Sequence, residues 1–142
     1  MSHKCWESTL SEKENHNKFG PESLGKMGHG HNCICWVGVT GPINQNNGMI
    51  IELSELKNII NEDVLSKIDH RYLNDLVYFK DTISTPEIIT QFIWDETKRS
   101  LEKHNLELNF IKLSPEKGDD IIITSIGITR TITYRILHPF WA

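Results

Sequence analysis

The hydrophobic period of this chain changes twice, and that pattern limits the folds open to it more than any other feature. From His31 to Thr40, Cys33, Cys35, Val37 and Val39 alternate with Asn32, Ile34, Trp36 and Gly38, the period of two that sends successive side chains to opposite faces of a strand. Met49 to Leu53 resumes as a second strand after the turn-rich segment 41–48, so residues 37–53 read as a hairpin with a long loop. The period then becomes 3.6. Ser54 is placed to cap a helix in which Leu56, Ile59, Ile60 and Val64 share one face. A second helix starts at Thr85, which can cap it; Pro86 suits the first helical position, Glu87 favours the positive dipole end, and Ile89, Phe92, Ile93 and Leu101 supply the buried stripe. Alternation returns at Leu106, Leu108 and Phe110, and again from Ile126 through Ile128, Ile132, Tyr134 and Ile136. Strands on either side of two helices predict an α+β unit, a four-stranded antiparallel sheet with two helices on one face.

A length of 142 residues fits a single domain spanning 1–142, with a loop-rich segment over 1–28 and an extension over 124–142. Charged residues make up 24% of the chain and the formal net charge is -4, so no electrostatic surplus exists to hold a nucleic acid or an anionic membrane surface. No apolar run approaches the roughly 20 residues a membrane span needs, and the polar start has no signal-like apolar core. Three cysteines, Cys5, Cys33 and Cys35, form an odd set that points to a reducing compartment, with the cytoplasm as the expected location. Two helices cannot cover both faces and both edges of a four-stranded sheet, so a homo-oligomer is expected.

The most specific chemical feature is Gly28-His29-Gly30-His31 at the mouth of the first strand. Residues i and i+2 of an extended chain project to one side, so both imidazoles can converge on one ion, and glycines on either side remove groups that would crowd it. Catalytic zinc takes three protein ligands at about 2.0–2.1 Å and keeps a fourth position open, so a third histidine must come from elsewhere. His3, His16, His70, His104 and His138 are the candidates. Asp69-His70 is a second feature: a carboxylate beside an imidazole can hold its tautomer and raise its basicity, as proton transfer near neutral pH requires. The three cysteines read as small buried hydrophobes.

Together these pieces resemble the 6-pyruvoyltetrahydropterin synthase family. The resemblance runs from His3 to about Ile123 and rests on Ser2-His3, Gly28-His29-Gly30-His31-Asn32, Gly48-Met49-Ile50-Ile51-Glu52-Leu53, Leu56-Lys57, Asp69-His70 with Leu73-Asn74, Ser84-Thr85-Pro86-Glu87, Ile93-Trp94 and Glu116. It implies the tunnelling fold, trimers whose sheets join into a barrel, and a hexamer made of two trimers. It also implies Zn2+ held by His3, His29 and His31, a pterin triphosphate substrate, and ring contacts from Thr85, Glu87 and Glu116. The family's usual catalytic cysteine follows a Phe-Gly pair; here Phe19-Gly20 is followed by Pro21-Glu22-Ser23, and no cysteine stands there. That departure resembles a glutamate-type subgroup. It implies Glu22, Asp69 and His70 as catalytic residues of a lyase that converts 7,8-dihydroneopterin triphosphate to 6-hydroxymethyl-7,8-dihydropterin for folate biosynthesis. The alternatives are the 6-pyruvoyltetrahydropterin synthase reaction of the tetrahydrobiopterin route, which eliminates triphosphate, and a zinc- or pterin-binding module without turnover.

Overall fold

The computed structural model describes residues 1–20 and 28–131. In chain order the elements are β1 (Ser2–His3), α1 (Glu12–Phe19), β2 (His29–Gly30), β3 (Cys33–Thr40), α2 (Leu53–Ile60), a π turn (Asn61–Leu65), α3 (Ser66–Ile68), two single 3-10 turns, α4 (Pro86–Glu102), β4 (Glu107–Pro115), β5 (Asp120–Thr124) and β6 (Gly127–Thr131). The four longer strands form an antiparallel sheet in the order β3-β4-β5-β6, and β1 and β2 form a separate two-stranded ribbon. The α+β architecture is the expected one.

The core lies between the sheet and the helices. Ile89, Phe92, Ile93 and Leu101 of α4 are buried against Ile111 and Leu113 of β4, in the stripe their spacing predicts. Thr85 caps α4 by accepting the Ile88 amide, with Pro86 at the first turn. In the other helical arm, Ile60, Val64 and Ile68 recur every four residues and are all buried. An α-helix drifts off line at that spacing; the wide π turn between α2 and α3 corrects the drift and keeps the three in one row.

Several expectations are corrected. Met49–Leu53 is not a strand: the segment carries bends, its backbone contact is a turn closed by the Asn44 amide on the Met49 carbonyl at 2.8 Å, and Met49, Ile50 and Leu53 are exposed. The helix after it starts at Leu53, with Glu52 rather than Ser54 at the cap position. Residues 1–28 are not one loop, because β1 and α1 lie within them. The helix α1 has a capping box in which the Ser11 side chain accepts the Glu14 amide and Glu14 accepts the Ser11 amide. Its only buried side chain is Asn15, which accepts the Glu7 amide at 2.8 Å and donates to the carbonyls of Glu7, Leu10 and Ser11.

The alternation of Leu106, Leu108 and Phe110 also breaks. A register irregularity between Gly38 and Val39 shifts the phase, so Leu108 and Ile111 both face the core and Phe110 turns to the other face. There it lies over Gly38, where a β-carbon would sit 2.2 Å from its ring. Finally, the isoleucine-rich end is two strands, β5 and β6, joined at a turn where Ile126 is 95% exposed. The remainder of the expected last strand, Ile132 to Ile136, lies outside the described residues.

One face of the sheet stays open. Ile34, Trp36 and Ile128 are 62%, 53% and 47% exposed, and Lys112 lies over the Trp36 ring while pairing with Asp120 at 3.2 Å. Among the described residues no helix is long and apolar enough to cross a membrane.

Candidate metal centre and active site

The small ribbon exists to hold three imidazoles together. In the β1–β2 register His3 lies opposite His29, and the His31 amide donates to the Met1 carbonyl at 3.0 Å. On its other side β1 is tied to the Asp69–Tyr72 turn: the Ser2 amide donates to the Arg71 carbonyl at 2.9 Å. The third histidine left open by the sequence is therefore placed by pairing, and it is His3. Ring centroids are 4.8 Å apart for His3–His29, 5.0 Å for His3–His31 and 4.5 Å for His29–His31, and the three ligand atoms lie within 4.8 Å of one another.

Of the two glycines in the motif, Gly28 is the stricter. Its φ is +83°, and a β-carbon there would meet the His3 carbonyl oxygen at 2.6 Å. The close approach of the two strands requires its bare backbone. Gly30 has only the Met1 carbonyl oxygen at 3.7 Å from a would-be β-carbon.

The cluster has the donors a cation needs. His3 is 2% exposed, and its Nε2 and the Nδ1 of His29 are buried without a hydrogen-bond partner. Bare buried nitrogens cost about 1–3 kcal/mol each unless something accepts their lone pairs. Burial first, then the neighbouring imidazoles, push the His3 pKa from 6.5 down to about 4, so its ring is neutral at physiological pH, the form that binds metal. Three imidazoles converging on one point fit a divalent ion such as zinc.

Behind His3 stands a group that spacing alone does not reveal. His3 Nδ1 is 3.2 Å from the Ser84 hydroxyl, which is fully buried and can donate to the Lys4 carbonyl at 3.2 Å or to Asn74 Oδ1 at 3.3 Å. Asn74 Oδ1 also accepts the Lys4 amide at 2.8 Å. Cys5 shares this space, its sulfur 3.5 Å from His3 Nδ1 and 3.3 Å from the Ser84 carbonyl. Burial pushes the Cys5 thiol up to about 11, and Cys35 likewise to about 11, so both are protonated near neutral pH.

The other expected site residues fall around this centre at different distances. Asp69 and His70 are exposed, with His70 Nε2 3.7 Å from Asp69 Oδ2, and His70 holds a left-handed backbone at φ +53°. Asp69 shares the lining of a cavity of about 320 Å³ with His31, Cys33, Ile68 and Ile93, at the small end of the range for small-molecule sites. Glu116 follows β4, its amide donating to the Asn32 carbonyl at 3.0 Å, and lines an open cleft with His29, His31 and Lys117. It is exposed in the single chain. Thr85 and Glu87 are half-buried at the start of α4, and Thr85 acts there as a helix cap. Glu22 lies outside the described residues, in the stretch between Gly20 and Gly28 that leads from α1 into the histidine motif.

Comparison with known proteins agrees with this geometry. The family model for 6-pyruvoyl tetrahydropterin synthase matches residues 1–124. The chain is 37% identical over 101 residues to the human 6-pyruvoyl tetrahydrobiopterin synthase, covering 70% of this chain and 69% of that protein. It is 33% identical over 112 residues to the Dictyostelium discoideum enzyme of that name, covering 78% and 81%. The match to the Drosophila melanogaster protein is 36% over 105 residues, and there the chain spans 62% of the relative's length. The solved structure of Caenorhabditis elegans 6-pyruvoyl tetrahydropterin synthase superposes with a TM-score of 0.73 at 27% identity, covering 87% of each chain. With most of its length matched, and the histidine ribbon and sheet in place, this chain belongs to the 6-pyruvoyl tetrahydropterin synthase family.

Proposed function

We propose that the chain is a zinc-dependent lyase that eliminates triphosphate from 7,8-dihydroneopterin triphosphate, the 6-pyruvoyltetrahydropterin synthase reaction. The observation that carries this reading is the buried cluster of His3, His29 and His31, with two of its nitrogens bare, in a chain whose relatives bear that enzyme's name. These three residues would hold the ion, which when bound polarises the substrate's side-chain hydroxyls as a Lewis acid. The elimination removes a carbon-bound proton and redistributes hydrogens along the propyl side chain, so it needs a base. His70 offers an imidazole for that role, with the Asp69 carboxylate 3.7 Å away as its companion. Glu116, beside His29 and His31 in the cleft, offers two carboxylate oxygens to the pterin's amino group and ring nitrogen, a bidentate fit that selects the ring. Thr85 and Glu87 add contacts at the start of α4.

The names of the relatives turn the reading away from the folate-pathway reaction that the sequence puts first. One observation still favours carbon–carbon cleavage to 6-hydroxymethyl-7,8-dihydropterin as a second reading: no cysteine lies between Phe19 and Gly28, and Glu22 stands in that stretch. In that reaction Glu22 takes or relays a side-chain hydroxyl proton, and the adjacent carbon–carbon bond breaks in a retro-aldol sense. The open sheet face with Ile34 and Trp36 supports assembly of copies of the chain, with a barrel-shaped hexamer as the proposed state and the cytoplasm as the proposed location.

The test is product identification. Zinc-loaded protein is incubated with 7,8-dihydroneopterin triphosphate, and the products are separated and read by fluorescence after oxidation, with Glu22→Gln and Glu22→Cys variants alongside. A 6-pyruvoyl product is expected. A 6-hydroxymethyl product that disappears in Glu22→Gln establishes the second reading instead, and full zinc occupancy with neither product reduces the protein to a binding module.

A further inference from the structure

We propose that Ser84 is a positioning residue for the metal centre: its hydroxyl, backed by Asn74, fixes His3 in the tautomer that leaves Nε2 bare and turns that nitrogen toward His29 and His31. The inference rests on the reading of His3, His29 and His31 as ligands of one ion. Three features of the geometry carry it.

His3 reaches the cluster from one edge of the ribbon, and its two ring nitrogens have different surroundings. Nδ1 lies 3.2 Å from the Ser84 hydroxyl and 3.5 Å from the Cys5 sulfur, whose own hydrogen donates to the Ser84 carbonyl at 3.3 Å, whereas Nε2 is buried with no partner among the described residues. The hydroxyl carries one hydrogen and faces two groups that only accept, the Lys4 carbonyl at 3.2 Å and Asn74 Oδ1 at 3.3 Å. When that hydrogen is committed to either, the Ser84 oxygen is left as an acceptor toward the ring, so Nδ1 must carry the proton and Nε2 the lone pair. The amide group of Asn74 is itself oriented: its oxygen accepts the Lys4 amide at 2.8 Å, so it cannot flip without losing that bond. The relay thus starts at the backbone amide of Lys4, the residue after His3, passes through Asn74 and Ser84, and ends on the His3 ring.

Burial makes the arrangement consequential. Ser84 is fully buried and His3 nearly so, leaving no bulk water to substitute for a lost partner. A ligating histidine whose other nitrogen is held this way keeps its ring plane and its basicity, and loss of such an outer partner typically weakens metal binding by about 10–100-fold. The fully buried Ser84 hydroxyl has His3, the Lys4 carbonyl and Asn74 as its contacts, so it acts through His3.

Two measurements test the assignment. In metal-free protein labelled with 15N in its imidazoles, the His3 signals are expected to show a protonated Nδ1 and a bare Nε2. In Ser84→Ala, the two tautomers mix, and the Kd for Zn2+ alone, measured by competition with a chromophoric chelator, rises about 10–100-fold while the far-UV circular dichroism is unchanged. Ser84→Thr, which keeps the hydroxyl, returns the affinity toward that of the unmodified protein. A proton on Nε2 of His3 in the unmodified protein overturns the proposal without any variant having to fold. So does a folded Ser84→Ala that binds Zn2+ within twofold of the original affinity. If turnover fails while the tautomer and affinity results stand, the proposed reaction is wrong and the positioning role survives.

Discussion

Replacing Gly28 by alanine separates the backbone requirement of the metal centre from the chemistry of its side chains. Gly28 has φ +83°, a region that costs an L-residue about 1–2 kcal/mol, and its new β-carbon would sit 2.6 Å from the His3 carbonyl oxygen. Ordinary contact begins near 3.4 Å, and both atoms belong to fixed backbone, so β1 and the Gly28 segment must part by about 0.8 Å. Preorganised sites tolerate displacements of about 0.5 Å, so the His3 ring leaves the productive position. We expect Gly28→Ala to lower unfolding free energy by at least about 1–2 kcal/mol in urea titrations and to weaken Zn2+ binding at least tenfold. Gly30→Ala is the control. Its would-be β-carbon meets only the Met1 carbonyl oxygen at 3.7 Å, and alanine in an extended segment costs less chain entropy than glycine, so its stability should stay within about 1 kcal/mol of the original. Equal loss of zinc affinity in the two variants, or none in Gly28→Ala, would show that the bare backbone at Gly28 is not what positions His3.

Other perturbations act on the same region. In the metal-free protein the His3 ring has a pKa of about 4 against 6.5 when unfolded, so above pH 6.5 it contributes no pH dependence. Between 6.5 and 4 the unfolded chain takes up a proton that the folded chain refuses, and up to about 3 kcal/mol of stability is lost as pH falls. Urea midpoints at pH 7, 5 and 4 should therefore drop less steeply in His3→Gln than in the unmodified chain, and parallel slopes would count against the burial of that ring. His70 holds φ +53° with its side chain 94% exposed, so His70→Gly should raise the melting temperature by a few degrees while abolishing the proposed proton transfer. A lower melting temperature would mean that the left-handed turn is not strained.

Legibility in the sequence followed how local each signal was. The helix α4 was readable because its cap, its proline and its apolar stripe all lie within its own span. The pair His29 and His31 was readable because strand geometry alone puts i and i+2 on one side. His3 was not fixed by spacing, since its place depends on pairing between strands some 26 positions apart, and only the family resemblance singled it out. Met49–Leu53 reads as a strand from its composition, but a short apolar run has no period of its own, and among the described residues no strand pairs with it. Phe110 misled because the irregularity opposite Gly38 inverts the phase of its strand, and alternation cannot announce a bulge. The helix α1 carries a full capping box but no apolar stripe, so hydrophobic periodicity does not reveal it. Ser84 and Asn74 gave no signal of function: a buried serine beside a helix cap becomes meaningful only once His3 is seen against it.

Metal content measures directly whether one ion is held by the three imidazoles of a single chain. After purification with excess zinc and removal of loosely held ion, mass spectrometry of the metal should give one zinc per chain. In folded His3→Ala, His29→Ala and His31→Ala the content should fall close to zero. A chain that keeps its full zinc after loss of any one of the three, or that never retains the ion, has no such three-histidine centre.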